Sequence, residues 1–288
     1  LQRSPVILPV DLADPADVLY DFNGFTNAQP VSTPAVKVHL DKKPVDYAAY
    51  RRAFDGIRER QLSGETYLAN LTFPTTISVN LTLKDIFFHS KARYRLWYRD
   101  RFVVFSPEPF VRIDHGVISS YPMKGTMDAT LPDAAEKLLR DGKEFAEHVT
   151  IVDLIRNDLN MVARGVTVSR FRYIETIATH AGGLLQASSR ITGTLPGDYR
   201  ETIGTIMAAL LPAGSVTGAP KKKTVEIIRE IENYDRGYYT GICGYFDGSR
   251  LDSGVMIRFI EKNENETIFK SGGGLTVYSD PEREYREM

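Results

Sequence analysis

Residues Glu147 to Leu159 read Glu-His-Val-Thr-Ile-Val-Asp-Leu-Ile-Arg-Asn-Asp-Leu, and this stretch is the centre of the longest helical pattern in the chain. Apolar residues recur around it at helical spacing, at Phe145, Val149, Val152, Ile155, Leu159 and Val162. The pattern predicts a long helix between Pro132 and Arg164. Gly165 follows directly, and glycine is favoured just beyond the last helical turn, so we expect the helix to end there.

Strand-like segments lie on both sides of this helix. Runs of β-branched and aromatic residues separated by short turns predict strands within 66–79, 93–118, 166–174, 188–191 and 238–277. Helical spacing predicts further helices at Tyr47–Leu62 and 199–210, one entered through Pro220, and one that Asp280 caps near the end of the chain. The short connections between strands favour antiparallel sheets.

Length and composition limit the function classes. The chain has 288 residues, of which 42% are hydrophobic, and its 36 basic residues nearly balance 37 acidic ones. We therefore expect one globular domain spanning 1–288, with no overall charge for binding nucleic acid or a membrane surface. The single cysteine, Cys243, excludes an internal disulfide. No apolar run is long enough for a membrane span and no signal peptide is evident, so the expected location is cytoplasmic.

Two pairs of glutamates stand three residues apart on predicted helices. Glu144 and Glu147 lie on the long helix, and Glu284 and Glu287 on the terminal one. Carboxylates at this spacing share a helix face, and two such pairs brought together would suit Mg²⁺, which prefers oxygen ligands. The competing interpretation is two solvated helix faces, since this spacing is common.

Other residues have both a functional and an ordinary interpretation. Lys124 follows a strand, and Glu108 lies at the other end of that strand region, so they could form a nucleophile and a proton donor or be surface groups. His180 could be a core or surface histidine. The run Ser271-Gly-Gly-Gly274 could cradle an anion or form a turn. Three lysines, 221–223, begin a helix, an unfavourable place that suggests an anion nearby.

Several segments together resemble the chorismate-utilising family, which includes the large subunits of anthranilate synthase and aminodeoxychorismate synthase and also isochorismate and salicylate synthases. The resemblance runs from about Tyr47 to the last residue. Besides the helical stretch quoted above, it rests on Leu211-Pro-Ala-Gly-Ser-Val-Thr-Gly-Ala-Pro-Lys221, Tyr239-Thr-Gly-Ile-Cys-Gly-Tyr-Phe246 and Gly272-Gly-Gly274 followed by Ser279-Asp-Pro-Glu-Arg-Glu-Tyr-Arg-Glu287. The fold it implies is α/β of the α+β type, with two packed, mainly antiparallel sheets flanked by helices and a site in the cleft between them.

The resemblance also implies roles for individual residues. Glu147 and Glu287 would ligate Mg²⁺, while Glu144 and Glu284 would hold its waters. Carboxylate groups of chorismate would be bound by Tyr239, Arg258, Gly273 and Gly274. The remaining positions that match the family's substrate pocket are Thr126, Thr217 and His180. A dianionic substrate needs such fixed donors because the net charge of the chain, −1, supplies none.

Two positions separate the reactions within the family. Members that add water to chorismate resemble one another in a lysine near the position of Leu68, which this chain lacks. Members that make aminodeoxychorismate resemble this chain in the lysine of Pro122-Met-Lys-Gly-Thr126, where anthranilate synthases usually have alanine. The resemblance thus implies that Lys124 attacks the ring and Glu108 protonates the leaving hydroxyl. Ammonia would come from a glutamine amidotransferase subunit, since the chain has no glutaminase residues of its own.

Three departures from the family leave alternatives open. Residues 1–36 match weakly and lack a Leu-Leu-Glu-Ser-Ser-like segment, Leu68 replaces a glutamine common in aminating members, and the sequence ends one residue after Glu287, where the family continues through a helix. The alternatives are the large subunit of anthranilate synthase and a catalytically silent chorismate-binding subunit. Retention of Glu108, Lys124 and both glutamate pairs argues against silence.

Overall fold

A computed structural model of the protein describes residues 12–31, 36–179 and 182–288. These residues form two β-sheets in which every strand pairing is antiparallel. Helices flank the sheets, so the predicted α+β architecture is confirmed. Within the described residues, no helix is both long and apolar enough to cross a bilayer.

The first sheet has nine strands in the described residues. With strands numbered along the chain, they are β1 (Val18–Phe22), β2 (Phe25–Thr26), β3 (Leu40–Lys43), β4 (Leu68–Val79), β5 (Tyr94–Tyr98), β6 (Phe102–Ser106), β12 (Gly218–Ala219), β15 (Phe259–Lys262) and β16 (Thr267–Leu275). Their order is β12-β4-β16-β15-β6-β5-β1-β2, and β3 also pairs with β4.

The second sheet has seven strands in the same part of the chain. They are β7 (Pro109–Asp114), β8 (Val117–Ser120), β9 (Met123–Asp128), β10 (Arg164–Thr179), β11 (Gly182–Thr194), β13 (Ile242–Phe246) and β14 (Leu251–Val255). Their order is β10-β11-β8-β7-β14-β13, and β9 pairs with β11. The helices are α1 (Tyr47–Leu62), α2 (Leu83–His89), α3 (Ala134–Arg140), α4 (Gly142–Asn160), α5 (Ile203–Leu210), α6 (Lys221–Ile231) and α7 (Pro281–Glu287).

Two of the four points at which the described chain passes from one sheet to the other are adjacent in space. Strand β6 of the first sheet leads through Glu108 into β7 of the second, and β14 returns through Arg258 into β15. The two crossings are hydrogen-bonded to each other, since Val255 N donates to Glu108 O over 3.0 Å and Phe105 N donates to Arg258 O over 3.2 Å. Both crossing residues are therefore fixed where the sheets diverge.

The long predicted helix is two helices in the structure. Asp141 separates α3 from α4, and its side chain accepts a hydrogen bond from Glu144 N at the start of α4. Helix α4 ends at Asn160, so the prediction that it ends at Gly165 is wrong, because Gly165 already lies in β10. The helix predicted at 199–210 is shorter in the structure, where α5 begins at Ile203 after a turn.

The buried face of α4 also differs from the predicted stripe. Phe145 and Val149 are 46% and 41% exposed, whereas Ile151, Ile155 and Leu159, four residues apart, are buried against the second sheet. Phe145 instead contacts the ring of Phe171 on β10, with 6.1 Å between ring centroids. The apolar periodicity therefore predicted a helix here, but the buried face of α4 is rotated by part of a turn from the face that the periodicity predicted.

Candidate active site

A cavity of about 280 Å³ opens at the seam between the sheets, beside the two crossings. Its lining combines residues of both sheets with the segment before α6, and includes Leu68, Asn70, Glu108, Lys124, Gln186, Ser215, Thr217, Tyr239, Arg258, Gly273 and Gly274. A larger cavity, of about 590 Å³, is mainly apolar and is lined by none of the predicted site residues. The smaller cavity is therefore the candidate site.

Lys124 reaches this cavity from β9. Its Nζ donates a hydrogen bond to Glu147 Oε2 over 3.2 Å, and the two side chains are 26% and 12% exposed. The opposite wall is Gly274, where a Cβ would lie 3.3 Å from Lys124 Nζ and 3.4 Å from Leu68 Cδ1. The amine thus occupies space that the absence of a side chain at residue 274 leaves open.

Glu108 lies in the crossing between β6 and β7 and also lines the cavity. Its side chain is partly buried, and the loss of hydration there raises the pKa of Glu108 above its ordinary value. A hydrogen bond with Ser215 and the positive charges of Lys124 and Arg258 oppose the rise without cancelling it. A carboxyl group that keeps its proton can act as a general acid, and here it would act beside an amine.

Tyr239 and Arg258 provide hydrogen-bond donors on the cavity wall. Tyr239 is 5% exposed, and burial raises the pKa of its phenol to about 12, so the hydroxyl stays protonated near neutral pH and can donate to an anion. Arg258 takes a φ of +53°, a left-handed conformation that costs a non-glycine residue about 1–3 kcal/mol and is often found at functional sites. The crossing imposes this conformation.

The glycine run lies in a strand and is not the turn that the sequence allowed. Gly272, Gly273 and Gly274 lie inside β16 and pair with Thr72, Leu71 and Asn70 of β4. A Cβ on Gly273 would meet Glu284 Oε2 at 3.5 Å, which is an ordinary contact distance. A stricter requirement for glycine holds at Gly218, with φ +145°, where a Cβ would lie only 1.8 Å from Leu68 O.

The four predicted metal ligands do not all converge. Glu147 contacts Lys124, Glu144 Oε2 lies 2.9 Å from where a Cβ on Gly125 would be, and Glu284 faces Gly273. Glu287 is instead 61% exposed and pairs with Arg283 over 3.1 Å. Among the residues that the structure describes, no group of three or more His, Cys, Asp or Glu side chains is arranged to hold a metal ion. The donor chemistry suits Mg²⁺, but the geometry of the full set does not.

The remaining predicted residues are divided between the cavity and elsewhere. Thr217 lines the cavity, and its hydroxyl donates to Ala213 O over 2.9 Å. Thr126 lies in β9, where it is exposed and does not line the cavity. His180 lies outside the described residues, so its prediction has no structural counterpart here.

Sequence reasoning missed three polar residues that line the cavity, namely Asn70, Gln186 and Ser215. Gln186 lies in β11 opposite Thr126, and its buried Oε1 has no hydrogen-bond partner within the described residues. A buried polar atom without a partner is rare, and at a cavity it marks an acceptor available to a ligand. Asn70 and Gln186 are polar residues inside strands, which is the signal that could have found them, whereas Ser215 lies within the motif Leu211–Lys221 quoted above.

Comparisons with known proteins fit this geometry. The sequence profile of a family described as chorismate binding enzyme matches residues 12–288. An uncharacterized PabA-like protein of Pasteurella multocida is 50% identical over 288 residues, covering 100% of this chain and 89% of that protein. The aminodeoxychorismate synthase component 1 of Bacillus subtilis is 30% identical over 259 residues, which is 85% of this chain and 54% of that protein.

A solved structure has the same fold. Anthranilate synthase component I of Streptococcus pneumoniae superposes with a TM-score of 0.74 at 27% sequence identity. The match covers 86% of this chain and 57% of that one. The two-sheet architecture is therefore shared with this anthranilate synthase component, over little more than half of its length.

Proposed function

The chain belongs to the family of chorismate binding enzymes, and from this premise we propose that it aminates chorismate at C4 as the large subunit of an aminodeoxychorismate synthase. The observation that supports this most directly is the position of Lys124, which projects into the cavity that Glu108 also lines. An amine and a buried acid on one small cavity form the pair that a covalent displacement on the chorismate ring requires.

The proposed reaction has two displacements. Lys124 reacts as the free amine, after its ammonium group has lost a proton to solvent. The amine forms a bond to ring C2, the two conjugated ring double bonds shift, and the C4–O bond breaks as Glu108 donates its proton, so that water leaves. Ammonia then forms a bond to C4, the two double bonds shift back, and the C2–N bond breaks to release the neutral amine of Lys124. The Glu108 carboxylate takes a proton from the new ammonium group on C4, and the product is 4-amino-4-deoxychorismate, a precursor of 4-aminobenzoate and folate.

Other cavity residues would bind the carboxylates of the substrate. Tyr239 is a protonated phenol and Arg258 a fixed cation, and both line the same cavity. Mg²⁺ is proposed as a cofactor that Glu144, Glu147 and Glu284 would hold, because these three carboxylates lie against residues of the cavity, and the ion would neutralise substrate charge. Because Glu287 pairs with Arg283, no step of the reaction is assigned to the metal.

The ammonia needs a source outside the described residues. The only cysteine, Cys243, is partly buried, and the loss of hydration there raises the pKa of its thiol to about 12, which makes it a poor nucleophile. A separate glutamine amidotransferase subunit is therefore the proposed partner. Free ammonium should replace it in a test, since the chemistry consumes only ammonia.

The test is to incubate the purified protein with chorismate, Mg²⁺ and an ammonium salt at alkaline pH and to separate the products by liquid chromatography. Lys124→Ala is assayed in parallel, with Lys262→Ala, an exposed strand lysine, as the matched control. We expect aminodeoxychorismate from the native protein and the control, and a loss of at least about 10²-fold in Lys124→Ala, as for removal of a group that acts in the transition state.

Other outcomes would contradict the proposal. Anthranilate as the product would assign the chain to the anthranilate synthases, the relatives that differ at the position of Lys124. Unchanged chorismate, together with chorismate binding in calorimetry, would identify a silent subunit. Full activity of Lys124→Ala would exclude the covalent route even if the product is correct.

A further inference from the structure

A buried ion pair lies directly behind one wall of the cavity. Arg236 Nη2 is 2.6 Å from Glu232 Oε1 and Arg236 Nε is 2.8 Å from Glu232 Oε2, so the guanidinium binds both carboxylate oxygens. The two side chains are only 15% and 3% exposed. Such a bidentate pair is held in one geometry, because two N–H donors of the planar guanidinium bind the two oxygens of the carboxylate.

The same guanidinium also binds two backbone segments of the cavity wall. Arg236 Nη1 donates to Val216 O and Nη2 donates to Asn70 O, each over 2.8 Å. These two segments are themselves joined, since Asn70 N donates to Thr217 O over 2.7 Å. One planar group therefore sets the distance between β4 and the segment that carries Thr217.

A third part of the wall follows from the backbone of Arg236. Its carbonyl oxygen accepts a hydrogen bond from Tyr239 N over 3.0 Å, so the loop that carries the arginine also positions the tyrosine. Lys270, which is 3% exposed, donates to the same oxygen over 3.0 Å and pairs with Glu261 over 2.8 Å. The loop is thus held from both sides.

The carboxylate of Glu232 is held just as firmly. Its Oε1 accepts hydrogen bonds from Thr72 N over 2.8 Å and from Thr72 Oγ1 over 2.9 Å. A buried ion pair gives little net stability compared with apolar residues of the same shape, because both charges lose their hydration. A gain in stability therefore does not explain why the pair is buried here. Its effect on the structure is to hold three segments of the cavity wall, those that carry Asn70, Thr217 and Tyr239.

We propose that Arg236 is a positioning residue for the reaction. Held by Glu232, it sets the spacing of Asn70, Thr217 and Tyr239, and so shapes the wall that receives the substrate without touching the substrate itself. The inference rests on the proposed function, because it takes chorismate as the occupant of the cavity. A lysine at this position keeps the positive charge but has no planar guanidinium, so it cannot donate to Val216 O and Asn70 O while it also binds both oxygens of Glu232.

The test measures chorismate binding by calorimetry and kcat and KM with ammonium, at a temperature well below the unfolding midpoint of every variant. In Arg236→Lys we expect kcat/KM to fall by about 10- to 100-fold and chorismate binding to weaken by about 10-fold, as for a small misplacement of binding groups. The control is Arg112→Lys, which alters another partly buried pair, Arg112 with Asp252 at 3.1 Å, whose members do not line the cavity. Its kinetic constants should stay within about twofold of native.

The kinetic constants and chorismate binding of the variants decide whether Arg236 positions the cavity wall. Native-like binding and kcat/KM in Arg236→Lys would overturn it, as would an equal loss in the control. If Arg236→Lys does not fold, Glu232→Gln decides, since it keeps the shape of the side chain: a loss in binding and kcat/KM supports the inference and native values overturn it. A native protein that binds no chorismate would refute the proposed function itself, whereas native binding with an unaffected Arg236→Lys refutes only the role of Arg236.

Discussion

Gly274 lies directly against the amine of Lys124, so that a Cβ on residue 274 would stand 3.3 Å from Nζ. That distance is tighter than ordinary contact, and Leu68 Cδ1 closes the other side at 3.4 Å. In Gly274→Ala, Lys124 must therefore move. We expect kcat/KM for chorismate amination to fall by about 10²-fold, with little change in folding.

The control for this prediction is Gly204→Ala on α5, where no atom lies within 4 Å of the new Cβ. Alanine should stabilise this helix by about 0.5–1 kcal/mol and leave the kinetics unchanged. Steady-state assays and thermal unfolding of both variants check the pair. Native kinetics in Gly274→Ala would show that Lys124 does not need the space that glycine leaves.

Glu108→Gln should remove activity and stabilise the fold. Because burial raises the pKa of Glu108 above 4.5, the native state binds this proton more tightly than the unfolded chain does, and stability is lost as the pH rises through that range. The cost of ionising Glu108 grows as the pH rises through the folded-state pKa, so at pH 8 the amide variant should unfold at a higher temperature than the native protein, by about 2–4 °C for each 1 kcal/mol of that cost. Near pH 4 the difference should vanish.

Thermal scans at both pH values check this prediction, with Glu59→Gln on the exposed face of α1 as the control. An unfolding midpoint for Glu108→Gln that is lower than native at pH 8 would show that the carboxylate is stabilising where it lies. Retained amination would exclude Glu108 as the proton donor.

Metal dependence tests the two glutamate pairs. If Glu147 holds Mg²⁺, chelation should stop amination, added Mg²⁺ should restore it, and Glu147→Gln should raise the Mg²⁺ concentration for half-activity by about 10- to 100-fold or more. The control is Glu136→Gln on α3, which loses only an exposed pair with Arg140. Unchanged activity after complete chelation, measured by product formation, would rule out a metal requirement.

Two of the three lysines that begin α6 are paired with carboxylates of the protein itself. Lys221 Nζ lies 2.7 Å from Asp158 Oδ2, with both side chains largely buried, and Lys223 Nζ lies 3.0 Å from Glu65 Oε2. Lys221→Met leaves a buried carboxylate without its partner and should cost about 3–5 kcal/mol of unfolding free energy.

Denaturant unfolding of Lys221→Met checks this value, with the exposed neighbour Lys222→Met expected to change stability by less than about 0.5 kcal/mol. Adding Asp158→Asn to Lys221→Met should recover part of the loss, because the amide needs no counter-charge. No recovery in the double variant would place the cost in the lost hydrogen bond to Leu210 O instead.

Local pattern predicted the elements better than their ends and faces. Helix α1 has the predicted bounds because Asp46 caps its start and Tyr50, Phe54 and Ile57 form one buried face. The break at Asp141 was missed although its signal, a side chain that caps Glu144 N, is local. The pairing of the glycine run inside β16 was missed because it depends on β4, which is distant in sequence. Periodicity carries no information about such contacts.

The same limit applies to the site. Motif resemblance identified Glu108, Lys124, Thr217, Tyr239, Arg258, Gly273 and Gly274, which the structure brings to one cavity. It did not identify Arg236, whose bond to Asn70 O spans 166 residues of sequence. A hydrogen bond to a carbonyl oxygen depends on the position of the partner backbone and not on its residue type, so no motif records it.

The crossings at Glu108 and Arg258 bring distant parts of the chain together at the candidate site. The wall opposite Lys124 is β16, which becomes adjacent only after pairing with β4, a contact between distant parts of the sequence. Contacts of this kind form late in folding, because the entropy of closing a long loop is lost before the contacts can stabilise the chain. During refolding, product formation should therefore recover after helical content does, and separate fragments of the chain should gain activity only when mixed.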